Sequence, residues 1–393
     1  MKNSTLYQRK HRRSTSGFTL IELMVGMVMG LLVTVVIAQV LVSSEGRRRT
    51  TVAGSDAQAN GALALYTLQR DIQAAGYGMT SILRGLGCPI RAERGGVSFP
   101  FVLQPLAITD GAAGAPDTLL VMSSAKLNFS APARITADHP PTAANFFVST
   151  TLGIEDGDLM IAVPATLDTV NNPPQNWCSV FQVTGTGQGQ GQGQGQGLNQ
   201  VIHNSGNGGD WNQPGGSTIF PTLGYPNPTK PGYEAGSYVV NLGQFVTRTY
   251  SIANQALVQT TFNSAAALSS TDELFPHVVN LQAFYGKDTN GDGVVDTYNN
   301  ATPTNGAGWD QVRSVRIVVV ARSAQMEREP VTAAEPLWNV GTAASVTGAT
   351  ASVACGAGRM CVTLNVNGLA DWQRYRYKVY DSVVPVRNLL WRS

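Results

Sequence analysis

Gly17-Phe18-Thr19-Leu20-Ile21-Glu22 opens an apolar run that continues to Val42. Of the 25 residues at 18–42, 19 are hydrophobic, and the exceptions are Thr19, Glu22, Gly26, Gly30, Thr34 and Gln39. At about 1.5 Å per residue such a helix is about 37 Å long, enough to cross a hydrocarbon core of about 30 Å with some tilt. Lys2, Arg9, Lys10, Arg12 and Arg13 precede it without an acidic residue. That charge pattern predicts a cytoplasmic N-terminus and a C-terminus carried across the membrane. Arg47-Arg48-Arg49 follows the span, but three basic residues beside Glu45 weigh less than the five in front.

Glu22 does not suit a plain anchor. A carboxylate near a bilayer centre costs roughly 2.5–3.5 kcal/mol, so an acid inside a span asks for a function. Cleavage after Gly17 would supply a counter-charge, the new amine of Phe18. A conventional secretory peptide has a shorter apolar core and an Ala-x-Ala site, neither of which is seen. A single-span anchor explains the length and leaves Glu22 unexplained.

Gly17-Phe18-Thr19-Leu20-Ile21-Glu22 ahead of an apolar helix resembles the class III signal of type IV pilins and pseudopilins. The resemblance implies that a prepilin peptidase cuts between Gly17 and Phe18 and methylates Phe18. It also implies that Glu22 pairs with the N-terminal amine of a neighbouring subunit during assembly. On this reading 1–17 is a cleaved leader, 18–42 a transmembrane helix and 43–76 its amphipathic continuation. Residues 77–393 form a β-rich head.

Leu65, Leu68 and Ile72 recur at helical spacing, and Leu63 and Tyr66 are expected to widen the stripe. Gly46, Gly54 and Gly61 are expected to weaken this helix and let it bend, and Gly76 and Gly78 to end it. Beyond lie short segments rich in β-formers, punctuated by Gly and Pro. The near-pure Gly-Gln repeat at 185–197 reads as a flexible loop or linker inside an insertion at about 185–236. Residues 238–242, 244–252 and 256–262 are expected to form one meander, with Asn254-Gln255 as a turn. Residues 278–286 alternate like a half-buried strand, and 312–322 is a stronger strand. The expected fold class is α+β: a long N-terminal helix packed on a mainly antiparallel β-sheet head with long loops.

Several of these segments resemble PilW-type minor pilins. They are Arg70-Asp71-Ile72-Gln73-Ala74-Ala75-Gly76-Tyr77, a strand ending in Tyr285-Gly286, an Asp-rich loop, a Val312-Arg313-Ser314-Val315 strand and a final Val384-Pro385-Val386-Arg387-Asn388. The middle, about 85–235, has no such likeness. The resemblance implies a non-enzymatic minor pilin that primes type IV pilus assembly and sits at the pilus tip, supporting twitching motility and adhesion. Implied partners are other minor pilins, the major pilin, the prepilin peptidase, the inner-membrane assembly machinery, a tip adhesin and membrane lipid. The implied location is the bacterial inner membrane, single-pass with a periplasmic head, and then the tip. Arg387 and Asn388 are read as packing residues rather than a pilin–pilin contact. The nearest alternative is a minor pseudopilin of type II secretion, similar to GspJ; another is a membrane-anchored periplasmic enzyme or binding protein.

The remaining residues narrow the chemistry. Removing 1–17 leaves 22 basic against 25 acidic residues, a net of −3, so a broad basic face for nucleic acid is not indicated. No nucleophile elbow, zinc-protease helix or phosphate loop is present, and isolated acids such as Asp156 and Asp158 read as loop residues. Four cysteines in an exported head suggest two disulfides. Cys355 and Cys361 close a short glycine-rich ring, which leaves Cys88 with Cys178; the alternative is four buried free thiols. Asp288, Asn290, Asp292, the carbonyl of Val294 and Asp296 follow the spacing of a calcium loop, with Gly293 at the sharp turn. Asn299 stands where such loops carry a bidentate Glu, and the alternative is a metal-free Asn/Asp/Gly turn.

Overall fold

The computed structural model describes residues 17–126, 131–190, 197–205, 209–212, 219–342, 352–356 and 358–390. Most of the expected leader lies outside them. The chain divides into two compact units, 1–53 and 54–393. A single helix, α1 (Leu20–Ala74), contributes to both. Leu20–Glu45 of this helix is exposed, and long and apolar enough to cross a membrane.

In the second unit α1 buries Ala57, Gly61, Ala64, Leu68, Asp71 and Ile72. Leu68 and Ile72 of the expected stripe are buried, but Leu63 and Tyr66 do not widen it: they are 51% and 62% exposed, and the small residues Ala57, Gly61 and Ala64 are buried instead. Gly61 is a close-approach residue rather than a weak point: a Cβ there would run into the Tyr380 ring. The helix ends where Gly76 takes φ of 77°, a left-handed conformation that costs glycine little. Its N–H then donates to the Met122 carbonyl.

Two antiparallel sheets frame this helix. The five-stranded sheet runs in the order Leu268–Pro276, Ala256–Asn263, Phe245–Ala253, Thr118–Ser124, Leu106–Thr109. The four-stranded sheet runs Thr297–Asn299, Val278–Lys287, Val312–Arg322, Tyr377–Pro385. The turn at Asn254 and Gln255 has positive φ at both residues, which suits the twist of a tight hairpin. The expected meander is shifted by one strand. Tyr238–Gly243 belongs to a separate six-stranded sheet, and Leu268–Pro276 completes the meander instead.

Val278–Lys287 is not half-buried; nine of its ten residues are buried. Leu281, Ala283 and Tyr285 enter the main core, while Val279 and Phe284 enter a third core around Trp338. The polar residues that made the strand look half-exposed are satisfied internally. Asn280 Nδ2 donates to the Gly114 and Asn365 carbonyls, and Gln282 Nε2 to that of Ala115.

The six-stranded sheet contains one parallel pair, Pro89–Arg91 with Cys178–Gln182. Residues 191–196 of the Gly-Gln segment lie outside the described residues, and its flanks depart from the loop expectation. Gly185–Gln190 pairs antiparallel with Gly197–Ile202, which continues onto Asn145–Val148. Backbone hydrogen bonds need no core-forming side chains, and Val201 supplies a buried one. The 185–236 region also contributes Ile219, Phe220 and Tyr233 to a second core with Phe146 and Phe181.

Candidate functional site

Gly17 and Phe18 precede α1 in extended chain, and Phe18 is 87% exposed. Thr19 and Glu22 then hold each other. The Thr19 N–H donates to Glu22 Oε2 at 3.1 Å and its hydroxyl to the same oxygen at 3.2 Å. The Glu22 N–H donates back to Thr19 Oγ1 at 3.2 Å. This is a reciprocal capping box, and its signal, Thr-x-x-Glu at a helix start, stands in the sequence unread. Glu22 thus satisfies helix-end donors within its own chain.

At the other end of α1, one buried carboxylate ties the helix to the five-stranded sheet. Asp71 Oδ2 accepts from the Tyr250 hydroxyl at 2.5 Å and lies 3.4 Å from Arg248. Burial pushes the Tyr250 phenol up, and the Asp71 contact adds to that. The chain's last described segment closes the joint. Asn388 Nδ2 donates to the Ala75 carbonyl at 3.0 Å, and the Thr80 hydroxyl donates to the Asn388 carbonyl at 2.8 Å. Asn388 therefore serves a helix end whose carbonyls lack partners within the helix. Gln69 and Ser382 add a side-chain bond at 2.6 Å.

Cys88–Cys178 and Cys355–Cys361 are both disulfides, and no described cysteine is free. The first joins the start of the head to the strand at Cys178–Gln182. Asp158 is not a loop residue of the bland kind. Its carboxylate is buried, pairs with Lys126 and accepts from Asn241 Nδ2 at 2.7 Å.

The loop at 288–296 is closed by its own side chains. Asp288 is buried and receives Arg313 Nη2 at 2.8 Å and Nε at 3.1 Å, with the Gly291 and Gly293 N–H groups at 2.6 and 2.9 Å. The Arg313 guanidinium holds the Asp288 carboxyl below the usual carboxylate range, helped by those two N–H groups and opposed by burial. Asp288, expected as a ligand, is thus an anchor for the loop. Asn290 Nδ2 stands between Asp292 Oδ2 at 3.1 Å and Asp296 Oδ1 at 3.2 Å, so a partial positive charge already bridges two carboxylates. Val294 is exposed and its N–H donates to Asp292. Among the described residues no three His, Cys, Asp or Glu side chains converge to hold a metal.

Comparison with known families fits this anatomy. A model described as the prokaryotic N-terminal methylation motif matches residues 12–38. A second, Type IV Pilus-assembly protein W, matches residues 244–388. The two matches support a PilW-type minor pilin. Neither the curated proteins nor the solved structures give a match. The PilW-type match begins beside Phe245–Ala253 and ends on Asn388. It thus contains Arg248 and Tyr250, which hold Asp71, and Asn388, which holds the helix end. Neither model covers the intervening 39–243. The matches support a minor pilin related to type IV pili, the N-terminal helix fits membrane anchoring, and the family points to a structural role among pilus components.

Proposed function

We propose that this PilW-type chain joins other minor pilins in a complex that primes type IV pilus assembly and then rides at the pilus tip. Its contribution is structural rather than catalytic, in support of twitching motility and adhesion. The observation that carries the reading is a prepilin signal and a PilW-type domain in one chain, joined by α1. The N-terminus stays cytoplasmic and the head is periplasmic before assembly. Prepilin peptidase cleaves between Gly17 and Phe18, and Glu22 meets the Phe18 amine of a neighbour. A strain lacking the gene should lose surface pili and twitching while exoprotein secretion continues. Normal pili with failed secretion would transfer the chain to the secretion pseudopilins.

Calcium at the 288–296 loop belongs to the same proposal. Asn290, Asp292, Asp296 and the Val294 carbonyl would hold the ion, with Asp288 fixing the loop through Arg313. What supports it is the oxygen-donor set and the positive group already bridging Asp292 and Asp296. The affinity should be weak, on the order of 10⁻⁴–10⁻³ M. Millimolar Ca²⁺ should raise the melting temperature, chelator should reverse it, and Asp292→Ala should abolish the shift. A melt indifferent to all three leaves a self-closed turn.

A further inference from the structure

A groove lies between the 98–104 segment and the face of the five-stranded sheet, with a volume of about 320 Å³, at the lower end of ligand-sized cavities. Four phenylalanines line it in sequence. Phe101 and Phe245 have ring centroids 5.3 Å apart, Phe245 and Phe262 5.9 Å, and Phe262 and Phe99 5.9 Å. Phe245 is buried, whereas Phe99, Phe101 and Phe262 keep part of their rings in solvent. The polar groups in the lining are the neutral side chains of Ser98, Gln104 and Thr247, and no described residue in it is charged.

The same sheet face continues as rows of hydroxyls. Alternate residues of a strand share a face, so Thr249 follows Thr247. Thr249 stands opposite Thr260, and Thr260 opposite Thr271, in one row across three strands. The next row reads Thr247, Phe262, Ser269. Thr260 and Thr271 hydroxyls lie 2.9 Å apart. Phe262 therefore sits at the meeting of an aromatic wall and a hydroxyl array. The first charge on this face is Glu273, in the adjoining row with Ser251 and Val258.

These features select a ligand. An anion would find no cation in the lining, and a charged peptide segment no counter-charge. Aromatic faces carry partial negative charge and attract the weakly positive C–H faces of a ring. Hydroxyls and amides exchange hydrogen bonds with neutral hydroxyls at little desolvation cost compared with charges. We propose that this groove binds a neutral oligosaccharide, one sugar ring against the phenylalanine wall and the next along the Thr249–Thr260–Thr271 row. The proposal stands on the head alone and does not depend on pilus assembly.

The test uses the full chain in lipid nanodiscs, free of glycoside detergent. Saturation-transfer NMR is run with cellohexaose, maltohexaose and N-acetylchitohexaose. Transfer to at least one is expected, with C–H protons of the sugar ring receiving the most. Phe101→Ala and Phe262→Ala should each weaken that binding about fivefold or more, since an aromatic contact is worth on the order of 1 kcal/mol beyond its buried area. Thr260→Val should weaken it less, and Tyr66→Ala, on the exposed face of α1, should leave it unchanged. Circular dichroism and melting confirm that each variant is folded. No transfer to any of the three sugars overturns the proposal, as does binding that survives both phenylalanine variants. Disulfide trapping of a co-purified pilin at Phe262→Cys would also overturn it, because the groove would then be a subunit interface.

Discussion

Glu22 has two roles to separate, because one carboxylate both caps its own helix and carries the charge a neighbouring amine would need. Thr19 and Glu22 share three hydrogen bonds, and a glutamine at 22 preserves that geometry without the charge. Glu22→Gln and Glu22→Ala should both insert normally, since removing a charge from a span favours insertion. Both should still be cleaved at Gly17. If the charge drives assembly, both should fail to co-purify with the other minor pilins. A Glu22→Gln protein that assembles like wild type would reduce Glu22 to a cap. Asp71 is different, because its partners lie within the head. Asp71→Ala leaves the Tyr250 hydroxyl and Arg248 without their buried acceptor and should cost about 1–3 kcal/mol or more. Chemical denaturation of the full chain measures it. The capping box is legible locally, and the Asp71 joint is not. Thr-x-x-Glu is a four-residue signal, whereas Asp71 acquires its meaning from residues 177 and 179 positions away.

The second core is an element-scale feature that the sequence hides, since its members are scattered from Ala133 to Val239 among Gly, Pro and Asn. At its centre His139 and His203 are buried with their Nε2 atoms 3.0 Å apart, and His139 stacks on Phe146 at 3.6 Å. Burial lowers His139 to about 3, with the neighbouring His203 adding to it, and burial lowers His203 to about 4. Folded values lie below the unfolded value of about 6.5, so the unfolded chain binds more protons in acid. The stability this pair contributes is fully present above about pH 6.5 and is lost as pH falls through about 4 to about 3. Melting temperature should therefore drop over that window, and His139→Phe with His203→Leu should flatten the drop. An identical acid limb in the double variant would remove the pair from the explanation. Periodicity could not reveal this core, because each short strand donates only one or two large side chains. It did reveal α1 and the Val312–Arg322 strand, where long uninterrupted patterns leave little choice. The misread Val278–Lys287 shows the limit: Asn280 and Gln282 look solvent-facing until Gly114, Ala115 and Asn365 supply their acceptors.

Across the whole second unit, the last described residues lie against the C-terminal part of α1. Tyr380 sits under Gly61, Ser382 bonds Gln69, and Asn388 takes the Ala75 carbonyl. Residues more than 300 positions apart thus complete one another, and a helix-terminal carbonyl left bare at this depth would find no water. The Arg70–Tyr77 and Val384–Asn388 segments are two halves of one joint. The segment after Pro385 also buries Val386 and Leu389. A chain ended after Pro385 forfeits two apolar side chains worth roughly 1.5–3 kcal/mol each, together with the Asn388 bond to the helix end at roughly 1 kcal/mol. That sum, roughly 4–7 kcal/mol, reaches the lower end of an ordinary domain's stability, about 5–15 kcal/mol. The truncated protein should melt well below wild type. Amide exchange should rise first at Tyr77, Met79 and Thr80, whose N–H groups donate within the turn that Asn388 holds. Asn388→Ala, which keeps Val386 and Leu389, should show the same exchange pattern with a smaller fall in melting temperature. If exchange there stays at wild-type rates in both, the end of α1 is held by the Asp71 cluster alone. The final segment would then be packing without a part in the joint.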